Sequence, residues 1–147
     1  MMSRKSKGIN AERELIKLFW ETKRWLACRV AGSGSSRYPA PDVIAGTANR
    51  KIAIECKTSK DDMKYIPRDD IFQLKEFALT FDAEPWVAVR FNRTEWYFLR
   101  PEQLEDTGTC RLVSKELAQQ KGICFEQLAA VQREQNVDVR RLVCKFE

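Results

Sequence analysis

Lys51-Ile52-Ala53-Ile54-Glu55-Cys56-Lys57-Thr58 is the stretch from which the rest of the chain can be read. Along a strand, side chains two apart share a face. Ile52, Ile54 and Cys56 therefore take one face, and Ala53, Glu55 and Lys57 take the other. The segment is apolar enough to be central in a sheet, so a carboxylate and an ammonium within it are costly unless they pair or hold a metal. Upstream, Asp42-Val43-Ile44-Ala45-Gly46 reads as a short strand ending in a turn over residues 47–50. Such a turn makes the two strands antiparallel neighbours and lets Asp42 approach Glu55.

Two converging carboxylates form a hard oxygen site suited to Mg²⁺, which takes few protein ligands and keeps most of its waters. The backbone carbonyl of Cys56 is a candidate third ligand. Lys57 would then stand beside a metal-bound water, orienting it or helping to remove its proton. A metal there lowers the water's pKa and neutralises charge building on a scissile phosphate. The plainer reading is a salt bridge and an unrelated turn aspartate. The chain contains no histidine, which excludes histidine as general base or metal ligand, the Ser-His-Asp triad included. Hydrolysis would have to run on carboxylates, lysine, metal ions and water.

The 147 residues suit one domain, and 44% hydrophobic with 32% charged residues suits a soluble globular chain. No apolar run approaches the roughly 18 residues of a membrane span. The basic start Met1-Met2-Ser3-Arg4-Lys5-Ser6-Lys7 has no apolar stretch behind it and is no secretory signal. Cys28, Cys56, Cys110, Cys124 and Cys144 are odd in number, widely spaced and without a Cys-x-x-Cys pair. They read as reduced thiols of a cytoplasmic protein, with Cys28, Cys56 and Cys144 in the core. A net charge of +5 leans toward a polyanionic partner.

Ala11, Leu15, Leu18, Phe19 and Thr22 form one stripe of a helix over residues 7–23. A strand follows at residues 25–30, then a Gly/Ser/Pro loop over residues 31–41. After a polar stretch at residues 59–64, Pro67 and the spacing of Ile71, Leu74, Ala78 and Phe81 suggest a second amphipathic helix. Residues 85–91 and 94–99 read as strands joined by a tight Asn92-Arg93 turn, and Pro101 opens a helical turn. A helix at 125–135 and a strand at 139–146 are expected further on. The order α-β-β-β-α-β-β implies an α/β fold with a mixed central sheet flanked by helices.

Pro41-Asp42, twelve residues, then Glu55-Cys56-Lys57 matches the PD-(D/E)xK nuclease signature. The wider sequence resembles the archaeal Holliday junction resolvases (Hjc) of that superfamily. The likeness rests on Lys7-Gly8-Ile9-Asn10-Ala11-Glu12-Arg13-Glu14-Leu15, Arg29-Val30-Ala31-Gly32-Ser33 and Pro41-Asp42-Val43-Ile44-Ala45-Gly46. It continues through Ile54-Glu55-Cys56-Lys57, Leu74-Lys75-Glu76-Phe77-Ala78 and Trp96-Tyr97-Phe98. It covers roughly residues 4–100, which places a nuclease core at about 7–104 and leaves 105–147 as a C-terminal extension of unassigned role.

The resemblance implies a restriction-endonuclease-like fold and a role for each matching residue. Glu12 would join the metal site, Asp42 and Glu55 would be the main ligands for Mg²⁺ (Mn²⁺ is the other candidate), and Lys57 would be the catalytic lysine. Arg13 and Arg29 would contact DNA phosphate, and Ser33 or Ser35, with Ser36 a further choice, would stand in a mobile serine loop needed for cleavage. Arg4, Lys5, Lys7 and Arg37 are candidate DNA contacts, the first three also suiting a plain solubilising terminus. Arg29 between Cys28 and Val30 needs an anion or an acidic partner. Trp86 and Trp96 read as core.

A four-way DNA junction has near-twofold symmetry, so paired nicks call for a homodimer. Phe72 and Phe77 are candidates for its contact or for intramolecular core. The expected activity is junction resolution by paired symmetric nicks. The alternatives are another PD-(D/E)xK endonuclease, of restriction or repair type, and a member of the fold that binds DNA without cutting.

Overall fold

A computed structural model describes residues 3–32 and 37–130. Helix α1 (Arg4–Glu21) leads into strands β1 (Leu26–Arg29), β2 (Val43–Gly46) and β3 (Lys51–Thr58). Strand β4 (Met63–Pro67), helix α2 (Arg68–Phe81), β5 (Glu84–Arg90) and β6 (Tyr97–Leu99) follow. The described chain finishes with β7 (Glu105–Asp106), β8 (Cys110–Ser114), α3 (Lys115–Lys121) and α4 (Phe125–Leu128).

The main sheet runs β1-β2-β3-β5-β6. Its β3–β5 pair is parallel and the others are antiparallel. A parallel pair needs a crossover, and β4 with α2 supplies it. Helix α1 packs Ala11, Leu15 and Phe19 against one face, which carries Val43, Ile52, Ile54 and Phe98. Helix α2 packs Ile71, Leu74 and Ala78 against the other, with Ala53, Val87 and Val89. The result is the expected mixed sheet between helices. Trp86 and Trp96 are buried in the α1-side core. Among the described residues no helix is long and apolar enough to cross a membrane.

Several expectations need correction. Arg4, Lys5 and Lys7 lie within helix α1, which starts three residues before the expected residue 7. Helix α1 begins at Arg4 because the Ser3 side chain accepts a hydrogen bond from the Ser6 N–H and caps it. Cys28 is exposed, not core. Strand β1 is an edge, and while Ala27 packs toward α1, alternation turns Leu26 and Cys28 away from it. The supposed polar run at 59–64 ends inside β4, which pairs with β8 in a second sheet of order β4-β8-β7. Only Ile66 of β4 is buried, so the strand lacks the period-2 signal that would reveal it.

Residues 105–130 build into both cores. Val113, Leu117 and Ala118 join the α2 side, and Leu128 joins the α1 side. The Phe125 ring meets Phe19 edge-on at 5.0 Å, and the Trp25 indole donates to the Ala129 carbonyl at 2.9 Å. The helix expected at 125–135 is seen as Phe125–Leu128. Residues 131–147, with the expected 139–146 strand and Cys144, lie outside the described residues, as do Ser33, Ser35 and Ser36.

Candidate active site

The site gathers where β2 and β3 run past each other. Val43 pairs with Ile54 in the antiparallel register, and just beyond it the Asp42 N–H donates to the Ile54 carbonyl at 3.0 Å. Asp42 thereby arrives opposite Glu55. Its Oδ2 accepts from the Cys56 N–H at 2.8 Å, which orients the carboxylate. Within one strand residue, N–H and C=O point the same way, and the direction alternates along the strand. By this alternation the Cys56 carbonyl points to the same side of β3 as its N–H, the side of β2.

Glu55 is the one buried charged residue of the described chain, at 9% exposure. Burial, then repulsion from Asp42, pushes its carboxyl up to about 8, with Lys57 pulling the other way. Lys57 Nζ lies 3.0 Å from Glu55 Oε1 and 2.6 Å from Asp70 Oδ2. Burial disfavours the ammonium, yet the carboxylates of Glu55 and Asp70 outweigh burial and hold its pKa above the ordinary lysine value. Lys57 therefore stands as a fixed cation. Burial, aided by the surrounding acids, likewise raises the Cys56 thiol, so it does not offer a thiolate.

Glu12 comes from α1 on the other face of the sheet. It meets Arg29 Nε at 2.6 Å, which supplies the acidic partner that Arg29 requires. Its pKa is raised by burial and by Asp42 and lowered by the Arg29 hydrogen bond. Asp42 thus repels both glutamates, one from each face of the sheet. Three carboxylates sharing one corner against their mutual repulsion make an oxygen-rich field that suits a hard divalent cation. Among the described residues no ready-made three-ligand cluster exists; Glu12 rests on Arg29 and Glu55 on Lys57. The donor chemistry fits a cation, and both ion pairs would have to yield to one.

Other expected residues lie around this corner. Arg13 and Arg37 are exposed, as are Arg4, Lys5 and Lys7 along the start of α1. Phe77 is half-buried, packs into the α2-side core and meets the Phe81 ring at a tilt, with centroids 5.2 Å apart. Phe72 is 59% exposed and Leu79 85% exposed. Both line an open groove of about 660 Å³ with Arg68, Lys75 and Arg111.

Two features escaped the sequence reading. Leu79 lies off the buried stripe of α2 and looked like an ordinary helix residue. Asp70 belongs to an acidic first turn, Asp69-Asp70, which any helix start favours. Its partner is thirteen residues upstream across a crossover, so no local signal could have exposed it.

The profile of the archaeal Holliday junction resolvase (Hjc) family matches residues 3–137. A crossover junction endodeoxyribonuclease Hjc of Archaeoglobus fulgidus is 42% identical over 103 residues, covering 70% of this chain and 75% of the relative. One of Methanocaldococcus jannaschii is 30% identical over 137 residues, covering 93% and 96%. The solved structure of Archaeoglobus fulgidus Hjc, a Holliday junction resolvase, superposes with a TM-score of 0.78 at 33% identity, covering 84% of this chain and all of that one. The chain belongs to the archaeal Holliday junction resolvase family and has its restriction-endonuclease-like fold.

Proposed function

We propose that this chain is a single-domain, cytoplasmic endodeoxyribonuclease that resolves four-way DNA junctions by paired symmetric nicks. The observation that carries the reading is the meeting of Asp42, Glu55 and Lys57 at the β2–β3 corner of a chain from this family. Asp42, Glu55 and the Cys56 carbonyl would hold Mg²⁺ or Mn²⁺, with Glu12 joining from α1. The chemistry such an ion would supply there is a lowered pKa for a water and an offset to the negative charge building on the scissile phosphate.

The residues of the chain do the rest. The Cys56 N–H fixes Asp42, so one carboxylate is oriented before substrate arrives. Lys57, held cationic, faces the phosphate as a donor rather than as a base. Arg29 opposes the burial-driven rise of the Glu12 carboxyl and, with Arg13, Arg37 and the exposed Arg4, Lys5 and Lys7, offers positive charge to the DNA backbone. Ser33 or Ser35 in the loop before Arg37 would complete the site. Junction shape and phosphate positions, not base identity, would guide recognition.

The homodimer would form on the α2 groove. Phe72 and Leu79 are apolar side chains that the described residues leave uncovered, and α2 also brings Asp70 to the active site. Half-buried Phe77 would support that face from beneath.

The test offers purified protein a synthetic four-way junction and a matching linear duplex, with Mg²⁺ or with EDTA. Symmetric paired nicks in the junction alone, lost in EDTA, are expected. Equal cutting of the duplex would favour a restriction or repair type, and junction binding without cutting would sink the enzymatic reading. Sedimentation of Phe72→Asp should report a shift from dimer toward monomer. An unchanged mass would place the dimer contact elsewhere.

A further inference from the structure

Lys57 has a second partner outside the PD-(D/E)xK residues. Its Nζ lies closer to Asp70 Oδ2, at 2.6 Å, than to Glu55 Oε1, at 3.0 Å. We propose that Asp70 is a positioning residue for cleavage, keeping the Lys57 ammonium at the site when Glu55 is taken up by the metal ion. The inference rests on the reading of Lys57 as the catalytic lysine.

The physical problem is one of competition. Glu55 cannot serve a divalent cation and an ammonium at full strength together, and a dication nearby repels the ammonium. A lysine side chain is a flexible four-carbon stem with much rotamer freedom. If Glu55 alone held it, metal binding would release it toward solvent. Asp70 supplies a second anchor from a different element, so it need not follow when Glu55 reorients.

That element is well fixed. Asp70 stands in the first turn of α2, next to Ile71 and one turn from Leu74, both buried against the sheet. A general preference for acids at a helix start does not account for the contact. Neighbouring Asp69 has the same preference and points elsewhere, accepting from Gln73 at 2.9 Å. The two acids thus serve as internal controls for each other. The contact also links the reaction centre to α2, the helix that exposes Phe72 and Leu79.

The test is single-turnover cleavage of a synthetic four-way junction at saturating Mg²⁺, with junction Kd and melting temperature measured on the same proteins. Asp70→Asn should slow cleavage by about tenfold or more, since a small misplacement of a reacting group is costly. Its junction affinity and melting temperature should stay near wild type. Asp70→Glu should recover most of the rate, and Asp69→Asn should cleave normally. A wild-type rate in Asp70→Asn beside an inactive Lys57→Ala overturns this proposal alone. A slow Asp70→Asn that recovers with more Mg²⁺ also overturns it, because Asp70 would then serve the field of the metal. Wild-type cleavage by Lys57→Ala overturns the reading of Lys57, and this proposal with it.

Discussion

The two faces of β3 solve the problem of a carboxylate drawn out of water differently. On the α1 face, Glu12 rests on the planar Arg29 guanidinium. On the α2 face, Glu55 shares a flexible lysine with Asp70 and is buried more deeply. The first arrangement moderates the rise in pKa, whereas the second leaves Glu55 at about 8. The contrast teaches which carboxylate is most in need of a cation. On the function proposed above, Glu55 would gain most from a metal, whereas Glu12 already has a cationic partner.

Cleavage rates give the largest separation between the two faces. Asp42→Asn and Glu55→Gln should each slow junction cleavage by roughly 10³-fold while junction binding persists, since each removes a charge that stabilises the transition state. Glu12→Gln should lose only about ten- to a hundredfold, the usual range for a supporting metal-site group. Equal losses at Glu12 and Glu55 would erase the distinction drawn between the faces.

Stability against pH comes next. Glu55 has a carboxyl at about 8 in the fold against an ordinary value of 4.5. Its retained proton therefore favours the folded state fully below pH about 4.5, and that advantage is lost as pH rises through about 8. Metal-free protein should lose several degrees of melting temperature across this window, and Mg²⁺ should restore them by binding the ionised form. Glu55→Gln should flatten the slope. A slope that survives in Glu55→Gln and vanishes in Glu12→Gln would reverse the assignment.

The smallest effect tests the Arg29 pair itself. Arg29→Met should destabilise the fold by about 1–2 kcal/mol, because Glu12 is left half-buried without its partner. Adding Glu12→Gln should return part of that loss in a thermal melt. Additive losses would mean that Arg29 stabilises through packing of its stem.

Legibility followed how local each signal is. The β2–β3 pair, the facing of Ala53, Glu55 and Lys57, and the approach of Asp42 were all readable because period-2 alternation and a short turn need only neighbouring residues. The buried α1 stripe was readable for the same reason. Strand β4 was not, since Met63 and Tyr65 are exposed and only Ile66 is buried. Nor were β8 and α3, whose apolar positions become core only by meeting β4 and α2 across some fifty residues of chain. Cys28 was misread because apolar neighbours cannot reveal that a strand lies at a sheet edge.

By itself, then, the sequence determined the mixed sheet between helices and the acid-lysine pair at its centre. Absence of histidine left carboxylates and metal as the available chemistry, and the family resemblance carried it to junction DNA. Tertiary structure alone decided three matters: that Arg29 answers Glu12, that the Cys56 N–H holds Asp42, and that Asp70 reaches Lys57. Each joins residues from different elements or depends on where a ladder ends, and such contacts exist only once the sheet has brought its strands and helices together.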